Sequence, residues 1–404
     1  MTETDAPSWK AALATTLLIQ IASSVLLQAQ TVVGPSLTAA AGVAPHEIGT
    51  LAALCSFGCV WFLMGGLRLM SDLGPVRVLQ VGVLVSAAGL LLGLTAYWPA
   101  ALLAGLLVGL GYGPAPPAGN QLLMQTAPAQ HRALIFSIKQ AGAPFGSALA
   151  GLALPHVAES YGWRAALLVA AVAALACVVV VEPWRAPLDR KRAQISRHAL
   201  IALISPRMVL APFHALSDLP ILKRLGFAGC MFSFVQGSIF ALFITFLVTR
   251  LDYDLTAAGF AFAIMQLTGT LARIVVGWIA DRARAHLTVL ALLGVGSSAN
   301  IFLIGAMDRE WSHLAVLAMS AATGFLAASW NGVLLSEIAR LSPPARVGET
   351  SSAATFFIFL GYVAGPALFA LVIHGTGSYP LAFRILMLLP LAGAVTLFLS
   401  RPQP

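Results

Sequence analysis

The amino-acid sequence predicts an all-α membrane protein of twelve transmembrane helices in two pseudo-symmetric six-helix bundles. Three observations carry this prediction. Twelve apolar stretches, each about as long as the ~20 residues a helix needs to cross the hydrocarbon core, fall as six, one long basic segment, and six more. Hydrophobic residues make up 59% of the 404 positions and charged residues only 9%, too few to coat a water-soluble domain of this size. The formal net charge of +8 is spread between the apolar stretches rather than gathered in one patch, so it reads as a topology signal and excludes a nucleic-acid partner.

Taken in order, the spans fall at residues 11–38, 47–70, 77–97, 100–125, 133–156 and 164–182, then 223–250, 257–280, 287–306, 312–337, 349–374 and 381–400. Met1 to Ser8 is short, polar and slightly acidic, and the first apolar run outlasts a signal-peptide core, so the helices themselves are expected to direct membrane insertion. With the N-terminus inside, the inward loops carry Lys10, Arg68, Arg77, Arg132, the Arg185 to Arg224 group, Arg282, Arg284, Arg340, Arg346 and Arg401. The outward loops carry only Arg164, Arg250, Arg309 and Arg384. That asymmetry places both termini in the cytoplasm.

Residues 1–182 and 223–404 are expected to form the two bundles, joined by a cytoplasmic connector at 183–222. The connector holds Pro183, Pro187, Pro206, Pro212 and Pro220 and the run Asp189-Arg190-Lys191-Arg192, with an amphipathic helix expected from His198 to Leu210 on the anionic leaflet. Cys55, Cys59, Cys177 and Cys230 all lie in apolar segments, so no disulfide framework follows.

The halves echo each other. The fourth span ends near Asn120-Gln121-Leu122-Leu123 before Pro128 and Arg132, and the tenth ends near Asn331-Gly332-Val333-Leu334-Leu335 before Pro343, Pro344 and Arg346. The fifth and eleventh spans end at His156 and His374, each followed five residues later by Tyr161 and Tyr379. Ordered symmetry of this kind belongs to parallel repeats whose interface holds a site near mid-membrane.

The motif Gly277-Trp278-Ile279-Ala280-Asp281-Arg282, with Arg284 following, sits at the cytoplasmic end of the eighth span. Here the chain resembles the major facilitator superfamily, whose loop signature joins a glycine, an aspartate and basic residues between spans two and three, with an echo between eight and nine. The resemblance implies a gating role for Asp281 and Arg282, the carboxylate capping a neighbouring helix and holding a basic residue. The first-half copy departs from the pattern: aligning Leu73-Gly74-Pro75-Val76-Arg77 puts Ser71 where aspartate is usual and Asp72 where arginine is usual, which leaves Asp72 and Arg77 as the gating pair there. Gly111 to Gln121 and Ser137 to Gly146 resemble the bacterial branch of cyanate-permease-like and organic-anion carriers.

Lys139 and Arg273 are the ionisable side chains placed deep inside spans, each seven or eight residues from the cytoplasmic end, or about 10 to 12 Å at the helical rise. Lys139 shares its face with Gly142, Ala143, Gly146 and Ala150, and Arg273 with Gln266, Gly269, Thr270 and Gly277, so both faces meet protein or water rather than lipid. A cation at that depth costs roughly 2.5 to 3.5 kcal/mol. No deep carboxylate offsets it, since Glu337 lies at the end of its span. An anionic substrate, a carboxylate, bridging Lys139 and Arg273 is therefore expected, with carbonyl hydrogen bonding or snorkelling as the alternative.

The resemblance adds cavity-lining candidates. They are the stripe Gln20, Ser24, Gln28 and Thr31 on the first span, Tyr112 and Asn120 on the fourth, Gln236 and Phe240 on the seventh, Trp330 and Asn331 on the tenth, and Tyr362 on the eleventh. Each is equally an interhelical hydrogen-bonding residue, the first-span stripe being the one assigned to the cavity. No catalytic constellation, phosphate-cradling loop or zinc set is evident, so neither an enzyme nor a cofactor is expected.

The expected function is secondary transport of a small organic anion by alternating access, in a monomer within a bacterial inner membrane. A drug or metabolite exporter of the same fold and a non-transporting receptor or scaffold are the alternatives. Protons are candidate co-substrates, with His156 and His374 near the outer ends as the candidate carriers and packing or loop contacts as the alternative reading of both residues.

Overall fold

Long apolar runs have one way to satisfy their backbone away from water, and the computed structural model is correspondingly helical throughout its described residues, 8–189, 220–343 and 347–399. The amphipathic stretch expected at 198–210, Arg346 and Arg401 lie outside them. Among the described residues eleven helical stretches are long and apolar enough to cross a membrane. The one expected span not among them, the fifth, within Arg132–Tyr161, is 30 residues long but falls short in apolarity, because Gly, Ala, Lys139 and Gln140 replace larger aliphatic residues.

In chain order the helices are α1 (Trp9–Val32), α2 (Gly34–Ala40), α3 (Ile48–Gly65), α4 (Leu67–Leu73), α5 (Pro75–Gly93), α6 (Trp98–Tyr112), α7 (Ala115–Thr126), α8 (Arg132–Tyr161) and α9 (Trp163–Leu188). There follow α10 (Pro220–Leu251), α11 (Leu255–Ala283), α12 (His286–Gly305), α13 (His313–Ala327), α14 (Trp330–Leu341), α15 (Val347–Thr376), α16 (Tyr379–Leu386) and α17 (Leu388–Phe398). Five expected spans are therefore broken in two. The first parts at Val33, ahead of Pro35, and the fourth at Gly113-Pro114, with Pro116 and Pro117 close behind; proline withholds the amide that the preceding turn needs. The second parts at Gly66, the tenth at Ala328-Ser329 and the twelfth at Met387.

Helix α9 runs to Leu188, past the expected end of the sixth span at 182, despite Pro183 and Pro187. Tertiary packing carries it on: Leu188 and Trp184 join a core with Ala12, Val76, Leu122, Leu123, Ala127 and Ile135.

The chain divides into two compact units: Met1–Val33 with Phe57–Pro206, and Gly34–Ser56 with Arg207–Pro404. In the first, α1 lies on α8 and α5 on α9; in the second, α10 lies on α15 and α12 on α17, so spans one and five correspond to seven and eleven. Small residues permit these approaches. A Cβ added at Gly146 of α8 would stand 2.5 Å from the Ile21 carbonyl oxygen and 2.8 Å from Ser24 Cβ of α1. At Gly361 of α15 it would collide with Ser233 Oγ and the Cys230 carbonyl of α10, and at Gly365 with the Phe234 carbonyl. Gly361→Val is expected to destabilise the protein by about 1–3 kcal/mol through overpacking against backbone, read as a lower unfolding temperature in detergent.

Candidate functional site

In the first unit the polar stripe of α1 turns inward: Gln20, Ser24, Gln28 and Thr31 are all buried. Gln20 Nε2 donates to the Tyr112 hydroxyl at 3.1 Å, whereas Thr31 donates to Gln28 Oε1 at 3.1 Å on the same helix. Among the described residues Gln20 Oε1 and Ser24 Oγ have no hydrogen-bond partner. Buried polar atoms without partners are costly, and they mark places where a ligand or water completes the pairing.

Lys139 of α8 is fully buried. Its Nζ donates to the carbonyl oxygens of Ala115 (3.3 Å) and Pro116 (3.5 Å), to Asn120 Oδ1 (3.4 Å) and to Gln140 Oε1 (3.4 Å). Gly119 makes room for it, since a Cβ there would lie 2.7 Å from Lys139 Cε. All four acceptors are neutral. They solvate the ammonium without cancelling its charge.

Arg273 in the second unit has the same relation to its own half. Its Nε donates to the Ala328 carbonyl at 3.0 Å, in the gap between α13 and α14. Each deep cation thus rests beside the broken span of its half, Lys139 on the start of α7 and Arg273 on the end of α13. Carbonyl bonding, the alternative held open from the sequence, is present at both residues.

A second polar group in this unit joins residues of three helices. Tyr362 of α15 donates to Gln236 Oε1 of α10 at 2.9 Å, and Asn331 Nδ2 of α14 reaches the same oxygen at 3.4 Å. Trp330 is buried in the apolar core, its Nε1 donating to the Ala327 carbonyl at 3.0 Å and its ring 5.7 Å from that of Phe232. Phe240 meets Phe262 edge-on. Gln266 is buried with Nε2 unpartnered among the described residues.

The gating candidates stand at helix ends. Asp72 is half-buried near the end of α4. Exposed Arg77 begins α5, its Nη1 3.6 Å from Glu182 Oε2, while Arg185 Nε holds Glu182 Oε1 at 2.8 Å and Gln80 Nε2 holds Oε2 at 2.7 Å. The residue that sequence reasoning missed is Asp189. Its carboxylate accepts the amide N–H groups of Val76 (3.0 Å) and Arg77 (2.9 Å), capping α5 from the end of α9. Gly74 permits this, with φ of +86° and a notional Cβ 2.6 Å from the Asp189 carboxyl carbon. Burial pushes the Asp189 carboxyl above its ordinary range, with the two amides, Arg185 and Arg77 pulling it back. The folded chain therefore holds this proton more tightly than the unfolded one, so the group's contribution to stability is greatest at low pH and is lost as pH rises through its folded value. Asp189→Ala is expected to cost about 0.5–2 kcal/mol by leaving the α5 amides uncapped, measured by thermal unfolding. The signal was the Glu182 and Arg185 spacing, an i,i+3 pair that makes sense only if the helix continues past Pro183.

In the second unit Asp281, its side chain 80% exposed, faces His286 Nε2 at 3.0 Å rather than a helix amide, and Arg282 is exposed in the last turn of α11. His286 Nδ1 lies 3.8 Å from Glu337, which Arg340 grips with two bonds of 2.7 and 2.6 Å.

The family description "Major Facilitator Superfamily" matches residues 15–338. An uncharacterized MFS-type transporter of Mycobacterium tuberculosis is 27% identical over 361 residues, covering 89% of this chain and 78% of its own. The 4-hydroxybenzoate transporter PcaK of Pseudomonas aeruginosa is 25% identical over 313 residues, covering 72% of this chain and 70% of its own. Among solved structures, the nucleoside transporter NupG superposes with a TM-score of 0.74 at 14% identity, over 96% of this chain and 99% of that one, a likeness of fold alone. Twelve spans in repeated halves, the Gly277 to Arg282 motif and a family match across most of the length lead to one statement: this chain is a multi-pass membrane protein and belongs to the major facilitator superfamily.

Proposed function

We propose that the protein is a secondary carrier that moves a small organic anion, an aromatic carboxylate foremost, across a bacterial inner membrane by alternating access. In this reading both termini lie in the cytoplasm, which the excess of Arg and Lys in alternate loops supports. Lys139 and Arg273 recognise the carboxylate, with Gln20, Tyr112 and Asn120 in one half and Gln236, Gln266, Asn331 and Tyr362 in the other orienting the rest. Gln28 and Trp330 act through packing on these. The single observation that carries the reading is Lys139, a fully buried cation whose hydrogen-bond partners among the described residues are neutral. A site kept positive in a low-dielectric interior favours an anion over a cation. PcaK, named for a hydroxylated aromatic carboxylate, supports the same cargo class.

The test is a thermal-shift screen of the purified protein against aromatic carboxylates, inorganic anions and cationic drugs. 4-Hydroxybenzoate and its relatives are expected to raise the unfolding temperature in proportion to their occupancy. Stabilisation by cations alone would refute the reading.

A further inference from the structure

Outside the carrier machinery one cluster of metal-ligating side chains is assembled among the described residues, and no sequence spacing announces it. His46 and Glu47 lie in a single 3-10 turn, Pro45–Glu47, ahead of α3, and His374 lies in the last turn of α15, 328 residues away. His46 Nε2 and His374 Nδ1 face each other at 3.3 Å, and His46 Nε2 is 4.0 Å from Glu47 Oε1. One ligand atom from each residue falls within 4.8 Å of the others.

We infer that His46, Glu47 and His374 form a binding site for a divalent transition metal, zinc foremost, which staples residues 34–56 to the end of α15. The dimensions fit the ion. Two nitrogens each about 2.0–2.1 Å from a tetrahedral zinc stand roughly 3.3–3.4 Å apart, the separation seen between the imidazoles. The carboxylate needs only a side-chain adjustment to join them. Its other oxygen accepts from Thr50 Oγ1 at 3.1 Å, the outer-shell bond that orients a ligating carboxylate. Two imidazoles and one carboxylate leave a fourth position for water.

Without metal, one of the facing nitrogens must carry the proton of their hydrogen bond. Metal binding moves that proton, through solvent, to the far nitrogen of its own ring, which leaves His46 protonated on Nδ1 and His374 on Nε2, both neutral and with no net proton released. The His46 ring is mostly shielded, its side chain 13% exposed, while His374 is open to solvent and gives the ion its path of entry. By sequence, residues 34–56 lie in the first six-helix half, yet they pack with the second unit, Gly49 meeting the Pro366 carbonyl and Ala370 of α15. A bridging ion reinforces that attachment. Any step of the transport cycle that lifts this segment from α15 must first release the metal.

The experiment is calorimetric titration of tag-free, purified full-length protein with zinc chloride, before any substrate is added, so that it stands apart from the identity of the cargo. One ion per chain is expected, with a loss of at least about tenfold in affinity in His46→Ala and in His374→Ala. Zinc is also expected to raise the unfolding temperature of the wild type and not of His374→Ala. His374 is exposed at a helix end, so this variant remains informative if His46→Ala is not recovered folded. Failure to bind zinc, or binding unchanged in His374→Ala, overturns the site. In proteoliposomes zinc is expected to slow uptake by the wild type and not by His374→Ala; equal uptake with the site filled overturns the staple.

Discussion

Lys139→Gln is expected to lower 4-hydroxybenzoate uptake in proteoliposomes at least about tenfold, and Arg273→Gln to do the same. A charge-assisted hydrogen bond to a carboxylate is roughly twice as strong as a neutral one, and losing about 1.4 kcal/mol of it already corresponds to a factor of ten. Glutamine keeps a donor and much of the volume at position 139, so the carbonyls of Ala115 and Pro116 retain a partner and the fold is preserved. Unfolding temperature, measured in parallel, separates lost recognition from lost structure. A purely structural lysine predicts the opposite pattern: a lower unfolding temperature with unchanged KM in the surviving fraction. Arg273→Lys is expected to recover little, because an ammonium does not reproduce the planar, forked geometry with which a guanidinium bonds the Ala328 carbonyl and a carboxylate.

The second large effect is an asymmetry. Arg340→Gln is expected to destabilise the protein by about 2–4 kcal/mol, whereas Glu337→Gln is expected to cost less than about 1 kcal/mol. The pair is short and doubly bonded, yet its members live in different surroundings: the Glu337 side chain is 1% exposed and that of Arg340 61%. Removing the arginine strands a buried carboxylate, with the His286 imidazole 3.8 Å away beside it. Removing the carboxylate releases an arginine that is already largely in water. Denaturation of the two variants side by side checks this, and equal costs would mean that water reaches the Glu337 carboxylate.

The fold was legible because its cause is local. An apolar run of about twenty residues has few options in a bilayer, and the Gly277 to Arg282 motif identifies the family on its own residues. The break in the fourth span was written in Pro114, Pro116 and Pro117. The break at Ala328-Ser329 was not, because no proline marks it and the Ala328 carbonyl is instead taken by Arg273. Asp189 looked like the first member of a charged connector run, since nothing local shows that it reaches α5 across 113 positions. His46 and His374 were hidden by a still longer separation. The candidate residues themselves were readable as types, a lysine and an arginine too deep for solvent. Their partners were not, being main-chain oxygens that every residue carries.

The contact of α8 with α1 through Gly142 and Gly146 has a mechanical corollary. With Leu17, Ile21 and Ser24 pressed against positions that have no side chain, the two helices form one plank, and neither can slide or tilt without the other. Elastic give in this half is therefore expected where the helices are already broken, at Gly66 and at the Gly113-Pro114 elbow beside which the Lys139 ammonium rests.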